Sequence, residues 1–178
     1  PGQLTALDGP ASHFKFTHDR LASRSADVLT CKQCLVVGAI SMTIAVAAGA
    51  IGAHLIKSKL ERQVQANSIT DIERFDISHS WDVAVRMHGL HSLGLIVIGL
   101  AVGSCSPRCL RWVGILLLAG IVLFSGVIYL VTATKLTALP SLGGIHLLIP
   151  LGGVSWIAGW IVLAAGFSRC CDEIDQQD

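Results

Sequence analysis

The sequence predicts an all-α integral membrane protein, a four-helix bundle with an extramembrane N-terminal tail, and three observations lead to this fold class. Of the 178 residues, 52% are hydrophobic and only 14% are charged, and the mean hydropathy is +0.65. A soluble domain usually carries about a quarter charged residues. Four uncharged stretches each reach the roughly 20 apolar residues that cross a bilayer. None of them alternates with the period of two that a transmembrane β-barrel needs.

The predicted spans cover residues 35–56, 87–106, 112–134 and 147–168. A polar tail, residues 1–34, precedes the four-helix domain 35–168, and a second polar tail, residues 169–178, follows it. The connection 57–86 carries charges of both signs, and we expect it to lie outside the bilayer with a short surface helix. Pro150 either starts the last helix, where its missing N–H costs nothing, or kinks a longer helix that begins near Ile145.

Four sequence motifs fall on the four predicted spans. They are AGAIGAH (48–54), SWDVAVRMHGLHSLGL (80–95), LFSGVIYL (123–130) and IPLGGVSWIAGW (149–160). Their order and spacing resemble the YgdD-like family of small four-helix membrane proteins, a domain of unknown function (423) that animal transmembrane protein 256 also resembles. Met87-His88 departs from the Tyr-Gln pair of that family, and the 135–149 connection is longer than in bacterial relatives. The resemblance implies the fold and brings no established activity with it.

Small residues recur on the predicted helix faces, where they let helix backbones approach closely in a bilayer. The candidates for helix packing are Gly49, Ala53, Gly99, Gly103, Gly126 and Gly159. They serve either the packing of the bundle itself or the docking of helices from another protein. Gly152 and Gly153, close after Pro150, place N–H groups near a helix start and are candidates for an anion or lipid-headgroup site.

His88 and His91 are the candidates for a cofactor site, because residues three apart share a helix face and histidine ligates haem, chlorophyll and transition metals. The alternative is structural, since a neutral His near the end of a span can bond a lipid headgroup or a backbone carbonyl. No HExxH or carboxylate-rich pattern accompanies the pair, so the sequence predicts no metal site. We expect no cofactor other than bound lipids.

The predicted spans contain no Asp, Glu, Lys or Arg, which ion-coupled transporters normally need. The sequence also has no GxSxG or Walker motif, and therefore predicts no catalytic residue and no enzyme. A net charge of +1 gives no reason to expect a nucleic-acid partner.

The six cysteines all fall close to the predicted membrane interface, and four spans place them on the same side. They are Cys31, Cys34, Cys105, Cys109, Cys170 and Cys171. We favour disulfides between segments, which would turn that side toward an intermembrane space, a lumen or a periplasm. A zinc site and free thiols are the alternatives.

Three functions fit these observations. The favoured one is a non-catalytic accessory subunit of a larger membrane complex of the respiratory type, with other membrane subunits and membrane lipids as partners. The second is a binder or carrier of lipids or small molecules. The third is a subunit of a photosynthetic complex, or a cofactor-binding component of a membrane oxidoreductase.

The expected location is the mitochondrial inner membrane, with the thylakoid and the bacterial inner membrane as alternatives. Translation begins with Met, whereas the sequence begins with Pro1, so a cleaved targeting peptide is one explanation. A fragment or an incomplete transcript is the other.

An even number of spans predicts that both termini lie on the same side of the membrane. A protease added to sealed organelles or vesicles should therefore cleave near residues 10 and 175 together, or near neither of them. Cleavage near one terminus while the other is protected would contradict the four-span topology.

Overall fold

The structure, a computed structural model, describes residues 32–101, 106–137 and 143–175. Within these ranges there is no strand, and four helices are long and apolar enough to cross a membrane, which confirms the predicted fold class. The helices are α1 (Lys32–Gln65), α2 (Asp71–Leu100), α3 (Pro107–Thr137) and α4 (Leu148–Asp175). Two of them contain a π-helical segment, which is Gly52–Ile56 in α1 and Ile121–Gly126 in α3.

The first two helices extend well beyond their predicted spans. The expected separate surface helix within 57–86 is not found, because α1 continues to Gln65 and α2 already begins at Asp71. Thr70 ends the short turn between them with a capping box. Its backbone N–H donates to the Glu73 carboxylate over 2.8 Å, and its hydroxyl accepts from the Glu73 N–H over 3.2 Å.

The end of α2 and the start of α4 can also be compared with the predicted spans. The helix α2 ends at Leu100, before the predicted limit of residue 106. A turn of 3-10 helix, Ile145–Leu147, leads into α4, so the helical backbone begins at Ile145 as in the longer of the two predicted alternatives. Pro150 then lies in the first turn of α4, where no N–H is needed.

Helix α2 lies at the centre of the bundle, since it contacts each of the other three. The hydrogen bonds that show this are Ser41–His88 to α1, Ser125–Ala84 to α3 and Trp160–His91 to α4. One buried apolar cluster joins α2, α3 and α4 and contains Leu95, Ile98, Leu110, Val113, Leu117, Ile121 and Trp156. A second joins α1 and α2 and contains Ala48, Ile56, Leu60, Ile77 and Trp81. Leu60 lies beyond the predicted first span, so burial against α2 stabilises the extension of α1.

Two tryptophans fix how neighbouring helices pack. The indole N–H of Trp81 donates to the Ala48 carbonyl of α1 over 3.0 Å, and that of Trp156 donates to the Leu117 carbonyl of α3 over 3.1 Å. A glycine makes room for each ring, because a Cβ at Gly52 would overlap the indole of Trp81. In the same way, a Cβ at Gly120 would overlap the indole of Trp156. Each glycine begins or directly precedes a π-helical segment.

We therefore expect Gly120→Ala to lower the free energy of unfolding by about 1–3 kcal/mol, because the added methyl group collides with the Trp156 indole. Gly153→Ala is the matched control, since a Cβ there meets nothing within 4 Å. It should be neutral or stabilise α4 by up to about 1 kcal/mol. Denaturant unfolding in detergent measures both. Equal stability of the two variants would contradict the packing described.

Candidate functional site

The candidate site is a chain of buried polar side chains around His88, in the apolar part of α2. His88 and His91 are only 5% and 4% exposed. His88 Nε2 lies 2.9 Å from Ser41 Oγ, which lies 2.7 Å from Ser92 Oγ. On the other side of the ring, His88 Nδ1 is 3.2 Å from the Tyr129 hydroxyl. Helices α1, α2 and α3 thus all contribute to one network.

The hydrogen bond of Ser92 determines the direction of the other hydrogen bonds in this network. Ser92 Oγ is 2.8 Å from the backbone carbonyl of His88, which can only accept, so Ser92 donates its single hydroxyl proton there. Ser92 must then accept from Ser41, and Ser41 must accept from the Nε2–H of His88. The Nδ1 atom of His88 is left as the acceptor for the hydroxyl of Tyr129. The hydrogen bonds therefore place a proton on Nε2 of His88, and in the neutral imidazole Nδ1 accepts from Tyr129.

His91 has the opposite tautomer. Its Nδ1 lies 2.7 Å from the Met87 carbonyl and must donate to it. Its Nε2 accepts from the indole N–H of Trp160 over 3.3 Å, because an indole can only donate. The ring also stacks on Trp156, with centroids 3.9 Å apart and planes 4° from parallel. His91 thus ties α2 to α4 as His88 ties it to α1 and α3.

The hydrogen bonds of this network leave none of its histidine nitrogens free to bind a ligand. All four ring nitrogens of His88 and His91 have partners within the chain, so the binding of a metal or haem iron would have to displace one of them. Ser41 cannot lose its proton to His88, because Nε2 already carries a proton. Among the described residues, no buried side-chain nitrogen or oxygen lacks a hydrogen-bond partner, and no group of three His, Cys, Asp or Glu could hold a metal ion.

The other histidines that the structure describes and the paired glycines of α4 lie away from this network. His54 and His146 are exposed, and His79 stacks on Phe75 at the surface. Gly152 is buried where α4 contacts α3. A Cβ on Gly152 would lie 2.6 Å from the backbone N of Phe124. Gly153 has open space around it.

The predicted packing residues divide between the interior and the surface. A Cβ on Gly49 would touch Val85, and one on Gly159 would touch Leu117, so both face neighbouring helices. Gly99 is buried as well. Near Gly126, such a Cβ would approach only the helix's own backbone, at Ile121. Ala53 is exposed, and Gly103 lies outside the described residues.

The structure describes the side chains of two of the six cysteines. Cys109 has a free thiol that donates to the Val162 carbonyl over 3.5 Å, so no disulfide forms at this residue. Cys34 is half-buried and lies opposite Gly114 of α3. Cys31 and Cys105, and the side chains of Cys170 and Cys171, lie outside the described residues.

Sequence reasoning found the two histidines and missed their partners. A signal existed for Ser92, which lies one helical turn after His88, and for Tyr129, the only tyrosine of the chain. The Ser-Trp pairs at 80–81 and 155–156 also mark the two tryptophans that pack on glycines. Ser41 gave no such signal, since one hydroxyl in an apolar run fits any helix face.

The fold and the closed polar network define a small polytopic α-helical membrane protein. The model of the family described as "Protein of unknown function (DUF423)" matches residues 48–153. A UPF0382 membrane protein of Staphylococcus saprophyticus is 33% identical over 135 residues, which are 76% of this chain and 96% of that protein. The UPF0382 membrane protein YwdK of Bacillus subtilis is 32% identical over 74% of this chain and 93% of its own length.

The chain therefore belongs to the DUF423 family, as the motif resemblance indicated. It is an integral membrane protein, like these bacterial relatives. No solved structure matches it.

The hydrogen-bond network predicts opposite tautomers for the two buried histidines. In 15N NMR of the labelled protein in lipid, His88 should show the Nε2–H pattern and His91 the Nδ1–H pattern. Tyr129→Phe removes the partner of Nδ1 of His88, so the Nδ1 signal should shift, but the Nε2–H tautomer should persist because Ser41 and Ser92 determine it. His91 should not change, because its partners are Met87 and Trp160. The same tautomer at both residues of the unaltered protein would refute the network.

Proposed function

We propose that this protein is a non-catalytic accessory subunit of a larger membrane protein complex, with other membrane subunits and lipids as its partners. One observation carries the proposal: in the described part of the chain every buried side-chain nitrogen and oxygen has a hydrogen-bond partner, whereas the outer face of α1 presents small residues in helical register. A reactive or transporting protein would need a polar group that faces an accessible cavity inside the membrane.

The small residues of the outer face form a stripe along α1. Ala39, Thr43, Ala47 and Ala50 are all exposed, and their spacing of three or four places them on one side of the helix. Small residues on such a face allow close contact with a helix of another protein, which is the main source of helix association in a bilayer. Large apolar side chains such as Ile44, 53% exposed, lie on a neighbouring face and suit contact with lipid.

The chain also carries sequence that its relatives lack. The Staphylococcus saprophyticus protein matches over 96% of its own length, yet only 76% of this chain takes part in the match. Additional polar segments such as the tail 1–34 are suited to contacts with partner subunits outside the bilayer. We propose a respiratory-type complex of the mitochondrial inner membrane as the site of assembly, with a thylakoid or a bacterial inner membrane as alternatives. We also propose disulfides among the cysteines near the membrane interface. Cys109 is excepted, because its thiol is free.

Lipid binding is the second candidate function, and one feature favours it: a cavity of about 410 Å³ between α1 and α2 with both charged and apolar walls. A component that binds a cofactor through His88 or His91 is less well supported, because all the ring nitrogens of these residues are engaged.

A bulky residue in the stripe tests the subunit proposal. Ala47→Phe should block close approach of a partner helix and reduce the share of protein in the assembly at least about five-fold, equivalent to about 1 kcal/mol of overpacking. Ile44→Phe is the control, because its side chain is already large and lies off the stripe. Native gels of mild-detergent extracts measure the ratio of assembled protein to free chain of 18.8 kDa. If the unaltered protein migrates alone, the proposal fails.

A further inference from the structure

A cavity on the α1–α2 hairpin combines charged and apolar walls. This cavity of about 410 Å³ is lined by Gly49, Gly52, Ala53, Ile56, Lys57, Arg74, Ser78, Trp81 and Asp82. The π-helical segment Gly52–Ile56 forms part of its wall on α1. Local π-helical turns are frequent at functional sites, and here the widened turn coincides with the cavity.

The charges of the lining lie at its two ends. Helices α1 and α2 are antiparallel, so Lys57 and Arg74 lie toward the turn that joins them. Asp82 lies at the other end, eight residues or about 12 Å further along α2. Ser78 lies between Arg74 and Asp82 at helical spacing of four. The only ion pair among the described residues joins Arg74 to Asp71 over 3.2 Å, so Lys57 and Asp82 are both available to a ligand.

The charge of this region is balanced. Lys57 and Arg74 are offset by Asp82 in the lining and by Asp71, the partner of Arg74. A balanced pair of charged ends suits a ligand that carries a phosphate and an ammonium group. A ligand with net negative charge would gain at the cationic end and lose beside Asp82.

The apolar part of the lining indicates that the ligand is a lipid. Gly49, Gly52, Ala53 and Ile56 form a wall of α1 without polar side chains, next to the Trp81 ring. Exposed apolar residues continue from this wall along α1, among them Val46, one turn before Gly49, at 67% exposure. A free headgroup would leave the apolar wall unfilled, whereas an acyl chain would cover it.

We propose that this cavity binds the headgroup of a zwitterionic aminophospholipid of the phosphatidylethanolamine type. The phosphate lies at Lys57, the ammonium group donates to the carboxylate of Asp82, and an acyl chain follows the wall of α1. Phosphatidylcholine has the same charges but no N–H to donate to Asp82. Phosphatidylglycerol has no ammonium group at all. The inference is independent of the accessory-subunit proposal, since the cavity lies within one chain.

Native mass spectrometry of the full chain tests this proposal. The protein is released from nanodiscs that contain equal amounts of dioleoyl phosphatidylethanolamine, phosphatidylcholine and phosphatidylglycerol, and the retained lipids are counted. We expect one retained phosphatidylethanolamine, enriched about three- to five-fold over each of the other two, as one exposed charge pair of up to about 1 kcal/mol allows.

Three substitutions separate the contacts. Asp82→Asn should lower the retention of phosphatidylethanolamine to that of phosphatidylcholine, because only the ammonium contact is lost. Lys57→Gln should lower the retention of all three lipids. Lys59→Gln, an exposed lysine of the same helix outside this lining, is the matched control and should change nothing.

Ala53→Leu fills the cavity without altering a charge and should abolish specific retention. Its exposed position makes the variant compatible with the fold, which circular dichroism and gel filtration check. Preferential retention of phosphatidylglycerol would overturn the proposal, as would retention unchanged in Lys57→Gln, Asp82→Asn and Ala53→Leu. Displacement of the lipid by soluble phosphoethanolamine at equal concentration would overturn the lipid as the natural ligand.

Discussion

The interior of this protein depends on one constraint: a polar group inside a bilayer must find its partner within the protein. Two imidazoles on α2 bring four nitrogen atoms into the interior, and each of the other helices supplies a group that satisfies them. Ser41 comes from α1, Tyr129 from α3 and Trp160 from α4. A change of rotation or register in any helix would leave one of these nitrogens unpaired. The histidines therefore fix the arrangement of the bundle.

The same packing solution occurs twice. In the α1–α2 hairpin, the Trp81 indole donates to a carbonyl of α1 and covers Gly52; in the α3–α4 hairpin, Trp156 donates to a carbonyl of α3 and covers Gly120. Both tryptophans follow a serine, and both glycines adjoin a π-helical segment. Hydrogen bonding and the lack of a Cβ thus combine to bring a large ring close to a backbone. Equivalent contacts therefore hold together the helices of each hairpin, although the two sequences show no clear repeat.

The interior of the bundle favours a structural role, whereas its outer surface offers places where a partner can bind. The inner polar groups are saturated, which favours a structural role for the histidines over ligation of a cofactor. The outer surface offers a stripe of small residues on α1 and a cavity with separated charges beside it. Interaction with another helix and binding of a lipid headgroup use different parts of this surface, so the two proposals are compatible. The DUF423 relatives are membrane proteins and leave both functions open.

The sequence by itself determined the fold class, the number of helices and the family, because apolar length and motif order are local properties of the chain. It located the buried histidines through their spacing but assigned them to the ends of spans. Only the tertiary structure decided that α1 and α2 continue past the apolar stretches, since burial of Leu60 stabilises helix where hydropathy has already ended. It also decided the tautomers of His88 and His91 and the separation of Lys57 from Asp82. These features arise from contacts between helices, and a pattern along one chain does not contain the rotation that brings two helices together.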